Sequence, residues 1–257
     1  MIEVRDLRVH YGDCTVVHVP ELRLAQGSVT AIAGESGSGK SQTALAIMGL
    51  SGYAGARITG SITLDGDELT TMSERQWRRV RGRRIAMIMQ NPRAALNPTF
   101  KLGKFFAHTL KLHGIGRSQV RSRMESALAE VVLSTDILDR YPHQVSGGQA
   151  QRFAIALVSA LRADVVIADE PTSALDVTVQ AEVMEVLRDL RDRHGTTMLF
   201  ISHDLAVISE IADSVVIMRQ GGVVESGATA DVLGAPREDY TKSLLAAVPV
   251  IRHGGAA

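Results

Sequence analysis

Short, uninterrupted apolar runs recur along this chain at Val29–Ala33, Ile85–Met89, Val165–Ala168, Met198–Ile201 and Val215–Met218. Because they do not alternate with polar residues, they predict strands covered on both faces, as in a parallel sheet sandwiched by helices. Ile2–Val9, Val16–Val19 and Ser61–Leu64 do alternate, and predict a small antiparallel side sheet. Between Pro92 and Leu161 the period lengthens to that of helices, most clearly over Val120–Val132 and Gln149–Leu161, with no strand between. The expected fold is α/β and doubly wound. Residues 1–91 and 162–230 form the parallel core with its antiparallel β side sheet, 92–161 an inserted helical subdomain, and 231–257 C-terminal helices and a tail. Asp231–Leu245 supplies the helix pair, Ser51–Gly60 reads as a loop and Arg252–Ala257 as a frayed end.

Composition changes this picture only at its edges. A chain of 257 residues, 45% hydrophobic and 22% charged, can bury one substantial core. Lys plus Arg balance Asp plus Glu at 28 each, so the strong positive field of a protein that holds nucleic acid through its phosphates is missing. Cys14 is the single cysteine, which excludes an internal disulfide framework and fits a reducing compartment. Met1 to Asp6 is charged where a signal peptide needs an apolar run, and no stretch approaches the ~20 apolar residues that cross a bilayer. Any membrane role is expected to come through a partner.

Gly34-Glu35-Ser36-Gly37-Ser38-Gly39-Lys40-Ser41 fits G-x-x-x-x-G-K-[ST] between a predicted strand and a helix running to about Leu50. Glycines let the backbone curl so that successive N–H groups face one anion-binding hollow at a helix N-terminus. Lys40 is then expected to bridge the β- and γ-phosphates of ATP and Ser41 to ligate Mg²⁺. A Gly/Ser turn before an ordinary helix is the plainer alternative. The run Val165–Ala168 ends in Asp169-Glu170-Pro171, placing two acids at the carboxyl end of a buried strand, where α/β sheets bind ligands. Asp169 is positioned to hold Mg²⁺, and Glu170 to orient and deprotonate the water that attacks the γ-phosphate.

Val145-Ser146-Gly147-Gly148-Gln149, ahead of the helix that ends at Leu161, resembles the signature motif of ABC ATPases, a family of P-loop NTPases with a RecA-like core. The resemblance implies that Ser146, Gly147, Gly148 and Gln149 cap the γ-phosphate bound to the opposite subunit, so that one chain holds no complete site. It also gives roles to other residues. Tyr11 matches the aromatic that stacks on adenine, Gln90 the Q-loop glutamine that touches Mg²⁺ or attacking water, and Ser173-Ala174-Leu175-Asp176 the D-loop that meets the other subunit. His203, selected by position from eight histidines, matches the switch histidine that holds the γ-phosphate and Glu170.

Met89-Gln90-Asn91-Pro92-Arg93-Ala94-Ala95-Leu96-Asn97-Pro98 and Tyr240-Thr241-Lys242-Ser243-Leu244-Leu245-Ala246-Ala247-Val248-Pro249 resemble the peptide and nickel importer subgroup. No tail cysteine follows, which is more similar to the nickel or metal-chelate members; Gln149-Ala150 instead follows the general ABC pattern, where this subgroup usually has methionine. The implied partners are a second ATP-binding subunit, identical or related, two integral membrane permease subunits, and indirectly an extracytoplasmic binding protein. The implied location is peripheral, on the cytoplasmic face of the inner membrane. An ABC-type ATPase of DNA repair or translation, or a nucleotide-sensing P-loop module, is the competing reading. The basic stretch Arg75–Arg84 has one aromatic and reads as a solvated helix face rather than a nucleic-acid surface.

Overall fold

In this computed structural model, which describes residues 1–173 and 175–247, ten strands follow one another as β1 (Ile2–Tyr11), β2 (Cys14–Leu24), β3 (Val29–Ala33), β4 (Arg57–Leu64), β5 (Asp67–Glu68), β6 (Ile85–Ile88), β7 (Val165–Asp169), β8 (Thr197–Ser202), β9 (Ser214–Arg219) and β10 (Gly222–Ala228). The helices are α1 (Lys40–Ile47), α2 (Glu74–Val80), α3 (Pro92–Ala95), α4 (Leu102–Leu112), α5 (Arg117–Glu130), α6 (Gly147–Leu161), α7 (Val177–His194), α8 (Leu205–Ile211), α9 (Thr229–Gly234) and α10 (Asp239–Ala246). All five continuous apolar runs are strands, and they lie side by side and parallel in the order β9-β3-β8-β7-β6.

Their two faces sort by alternation. Ala31, Val166, Ala168 and Phe200 face the helical arm α4–α6 and helices α7 and α8, while Ile32, Ile167, Leu199 and Ile201 face the opposite way, toward α1. The alternating strands β1, β2 and β4 curl over the far side of α1, so its Ala44 and Ile47 are fully buried. The side sheet is not a separate sheet. β2 joins β10 through the pair Gly222↔His18, giving one ten-stranded sheet in the order β5-β4-β1-β2-β10-β9-β3-β8-β7-β6.

Four local expectations differ from the structure. The phosphate-loop helix stops at Ile47, because Gly49 turns left-handed (φ +63°) and the Gly49 and Leu50 amides return to the carbonyls of Ala46 and Leu45. Ser51–Gly60 is not one loop; a short 3₁₀ turn, Ser51–Ala54, leads into β4, whose Arg57 pairs with His10 of β1. β10 had no apolar signature because its residues Val223 to Glu225 are only half-buried. The basic stretch is a solvated face at Arg75, Arg78 and Arg79, but Arg81 reaches the Met48 and Gly49 carbonyls and Arg84 pairs with Asp65 and Asp164. Arg81 thus places a cation on the carboxyl end of α1. The tail Arg252–Ala257 lies outside the described residues, as do Ala174 of the expected D-loop and Val248 and Pro249 of the C-terminal motif.

Within the helical arm, Phe106 of α4 meets Phe153 of α6 edge to face, 5.5 Å between ring centres and at 84°. Both are fully buried. Phe153→Ala is expected to cost about 3–5 kcal/mol, read as a lowered midpoint in urea or guanidinium unfolding.

Candidate functional site

The carboxyl ends of β3, β6, β7 and β8 converge on one groove of about 680 Å³, lined by Gly34, Lys40, Ser41, Gln90, Glu170 and His203 among others. That volume is in the range of small-molecule sites, and the edge is the one where parallel α/β sheets bind ligands.

The loop between β3 and α1 is bent back on the sheet. Gly34 sits at φ +148°, and a Cβ there would lie 2.2 Å from the Met218 carbonyl oxygen, so the close approach admits no side chain. Gly37 and Gly39 take φ of +80° and +101°. Glu35, Ser36 and Gly37 form the exposed rim, whereas Ser38 and Lys40 are buried. Lys40 Nζ donates to the Gly34 and Glu35 carbonyls, both at 2.8 Å. Burial lowers its pKa, opposed by the charges of Glu170 and Asp169.

Asp169 and Glu170 separate because the strand ends between them. Asp169 still pairs in register with Ile201 of β8, and it accepts a hydrogen bond from Ser41 Oγ at 3.0 Å. Glu170 turns to φ +44°, its amide donating to the Ile201 carbonyl. The flip sends its carboxylate to a different set of partners: Gln90 Nε2 donates to Oε2 at 2.8 Å, and His203 Nδ1 lies 3.3 Å from Oε1. His203 is half of a short connector. The Ser202 hydroxyl accepts from the Asp204 amide, and the Asp204 carboxylate caps α8 through the Ala206 and Val207 amides.

Two expected groups stand apart from this cluster. Ser146 caps α6, accepting from the Gln149 amide while the Gln149 side chain accepts from the Ser146 amide. Gly147 is exposed, and a Cβ on Gly148 would strike Val179 of α7 at 2.5 Å. Asp176 caps α7 through the Val179 amide. None of Ser146, Gly147, Gly148, Gln149 and Asp176 lines the groove. Tyr11 is not part of the groove lining either, its hydroxyl donating to Gln42, while Val16, Gln42 and Leu244 supply wall that the motifs do not predict. Arg93, inside the stretch that begins at Met89, donates to the Val145 carbonyl and so ties the segment after Gln90 to the turn at Ser146.

The donor set fits a nucleoside triphosphate with a hard cation. Among the described residues, Ser38 Oγ of the same loop is buried without a hydrogen-bond partner, and the Lys40 ammonium donates to carbonyls alone. Among the described residues no three His, Cys, Asp or Glu side chains converge on a metal position. A cation here would therefore draw on Ser41, Asp169, Gln90 and phosphate oxygens.

The chain matches the family described as ABC transporter over residues 17–173. It is 44% identical to the peptidoglycan transport ATP-binding protein of Agrobacterium fabrum across 97% of this chain and 47% of that one. It is 38% identical to the dipeptide transport ATP-binding protein of Haemophilus influenzae, across 99% and 79%. A glutathione import ATP-binding protein of Salmonella typhimurium is 45% identical across 89% of this chain and 38% of its own length. The chain thus spans about half or less of two of these relatives. Among solved structures, a dimeric ATP-binding cassette in a post-hydrolysis state with ADP and Pi superposes with a TM-score of 0.79 at 24% identity, covering 89% of this chain and 99% of that one. The Clostridium perfringens subunit cbiO1, part of the ABC transporter complex cbiONQ, superposes at 0.78 and 25% identity, covering 91% and 90%.

Burial raises the Asp169 pKa above its ordinary 3.8, with the Ser41 hydrogen bond opposing and the Glu170 charge adding to the rise. Below 3.8 both folded and unfolded states hold the proton. As the pH climbs, the unfolded chain releases it first, so stability falls until the folded pKa is passed. Asp169→Asn is expected to raise the melting temperature of the nucleotide-free protein at pH 7, with the gain shrinking toward pH 3.8; thermal unfolding across that range checks it.

Proposed function

The chain belongs to the ABC transporter family, and from that premise we propose that it is an ATP-hydrolysing subunit powering a membrane importer of short peptides or chemically related cargo. The observation that carries this reading is the groove itself. The lysine and hydroxyl of a phosphate loop face a carboxylate, Glu170, gripped by Gln90 and His203.

Each residue has a part that its geometry supports. The loop amides and Lys40 take the β- and γ-phosphates, the ammonium exchanging carbonyl partners for phosphate oxygens. Ser41 and Asp169, with Gln90, hold Mg²⁺. That ion, when bound, neutralises charge on the phosphates. Glu170 accepts the proton of the attacking water. Gln90 and His203 engage one oxygen each, and every carboxylate oxygen has a second acceptor position left for water. With Glu170 ionised, His203 Nδ1 carries the shared hydrogen and fixes the carboxylate's rotation.

Ser146, Gly147, Gly148 and Gln149 lie outside the groove, and the exposed amide end of α6 is a second anion receptor. We assign it to the nucleotide of a second cassette, with Asp176 and its loop meeting that partner and Tyr11 lying toward the adenine side. Loss of the γ-phosphate then releases the closed pair. The helical arm, residues 92–161, passes the motion to permease subunits. No helix among the described residues is long and apolar enough to cross a membrane. Attachment to the inner membrane's cytoplasmic face is accordingly assigned to those subunits. The relatives' printed names, dipeptide, glutathione and peptidoglycan, favour peptide-like cargo over nickel chelates and favour transport over a repair or translation role. Recovery of integral membrane subunits with the chain, and ATPase stimulation by a peptide rather than a nickel chelate, would test those choices.

Two substitutions test the chemistry. Glu170→Gln is expected to keep ATP binding, to lower turnover by about 10²-fold or more, and to accumulate a dimer in ATP on size-exclusion chromatography; near-normal turnover rejects Glu170 as the base. Ser146→Phe is expected to abolish turnover while leaving ATP affinity of the isolated chain within about twofold, the lost helix cap costing about 1 kcal/mol of stability. Loss of monomer binding would reject the shared site.

A further inference from the structure

We propose that Tyr240 of α10 is a positioning residue for the phosphate loop, setting ATP affinity through a single peptide unit. The inference rests on the ATPase reading above.

The peptide joining Gly34 to Glu35 is held from both ends. Its carbonyl, that of Gly34, accepts from Lys40 Nζ at 2.8 Å, and its N–H, that of Glu35, donates to the Tyr240 hydroxyl at 3.4 Å. A donor on the oxygen and an acceptor on the nitrogen polarise the same amide in the same sense, so the two bonds reinforce one another. Tyr240 itself is held firmly. It is 8% exposed, and the Arg219 guanidinium lies over its ring at 4.7 Å, one residue past Met218, whose carbonyl abuts Gly34. The start of α10 is pinned by the Glu225 carboxylate of β10, which accepts from the Arg237 and Glu238 amides at 2.9 and 3.3 Å. One turn further on, Leu244 forms part of the groove wall. The C-terminal helix therefore reaches the nucleotide site twice, once through wall and once through the backbone that parks Lys40.

None of these contacts touches the Glu170 cluster. Removing the hydroxyl should loosen the loop and weaken nucleotide binding without slowing the chemical step.

Tyr240→Phe in the full chain keeps the ring and deletes the acceptor. Expected are a rise in KM and Kd for MgATP of roughly 3–10-fold, the worth of one ordinary hydrogen bond, a kcat within about twofold of wild type, and faster amide hydrogen exchange in the peptide covering residues 33–40 of the nucleotide-free protein. Thermal unfolding identifies a variant that has not folded, and Tyr240→Leu, which keeps apolar bulk and carries no acceptor, then supplies the same three readouts. An unchanged KM, a fall in kcat alone, or loop exchange no faster than wild type overturns the proposal. Wild-type protein that failed to bind MgATP would instead sink the ATPase reading.

Discussion

The rest of the site depends on a buried ammonium that has backbone for company. Lys40 sits at 5% exposure and donates to two carbonyls of its own loop, with no carboxylate in direct contact. Carbonyl dipoles replace only part of the water a cation loses on burial, and the depressed pKa of Lys40 records the shortfall. A polyanion entering the groove supplies what is missing. The fold tolerates the arrangement because everything around the loop is over-determined: the Gly34 backbone is pressed on Met218, the Gly221 amide holds the Ser38 carbonyl, and Thr43 holds that of Gly39. Binding energy is thus stored as an unmet electrostatic demand in a rigid frame.

The same logic separates the two acids at the end of β7. Consecutive residues on a regular strand point to opposite faces, and continuing the strand would have buried one carboxylate in the apolar layer. The left-handed turn at Glu170, about 1 kcal/mol unfavourable for a residue with a Cβ, lets both carboxylates remain at the sheet's edge with different partners. Asp169 stays with the loop hydroxyl of Ser41. Glu170 is carried to the ends of β6 and β8, where Gln90 and His203 wait. The division of labour proposed for them, one acid holding a cation and the other accepting a proton, would follow from that one backbone dihedral.

What the sequence made legible was what burial and anion chemistry constrain tightly. Val29–Ala33 and its four counterparts had to be strands because nothing polar interrupts them. Gly34 to Ser41 read as a phosphate loop because glycines, lysine and serine fall at the right offsets between strand and helix, and the structure places them between β3 and α1. Glu170 stood out as an acid just past a buried strand, while Gln90 and His203, each also just past one, were singled out by the resemblance to ABC ATPases. Elsewhere weaker forces decided. Arg57–Gly60 is polar and glycine-bearing, yet the exposed side of β1 needed a partner and took it. β10 is built from half-buried residues, so its place as the hinge between two halves of the sheet rests on the Gly222–His18 pairing, which no periodicity announces. Arg81 and Arg84 looked like solvent charges because a helix face predicts exposure but not which carbonyls or carboxylates stand opposite. Leu244 and Arg93 were inside motifs of the chain that carried subgroup resemblance, but their reach to the groove and to Val145 depends on tertiary folding alone.

The turn at Ser146 supports the proposal that one chain is half of a device. Its capping box satisfies Gln149 and Ser146 internally, leaving Gly147 exposed at the amino end of a fifteen-residue helix that packs against α5, α7 and β6. A helix end of that kind attracts an anion, yet it does not line the groove at the end of the parallel sheet. Nor does it float: Gly148 is wedged on Val179, and Arg93 holds the Val145 carbonyl just ahead of it. The second contact is the informative one, because Arg93 lies three residues beyond the glutamine that grips Glu170. Under the proposed function, any movement of Gln90 that followed the state of the nucleotide would be transmitted, through the short helix α3, to the turn assigned to a neighbouring molecule's phosphate. On the proposed mechanism, hydrolysis in one groove and the hold of the helical arm on the opposite nucleotide would then be mechanically one event.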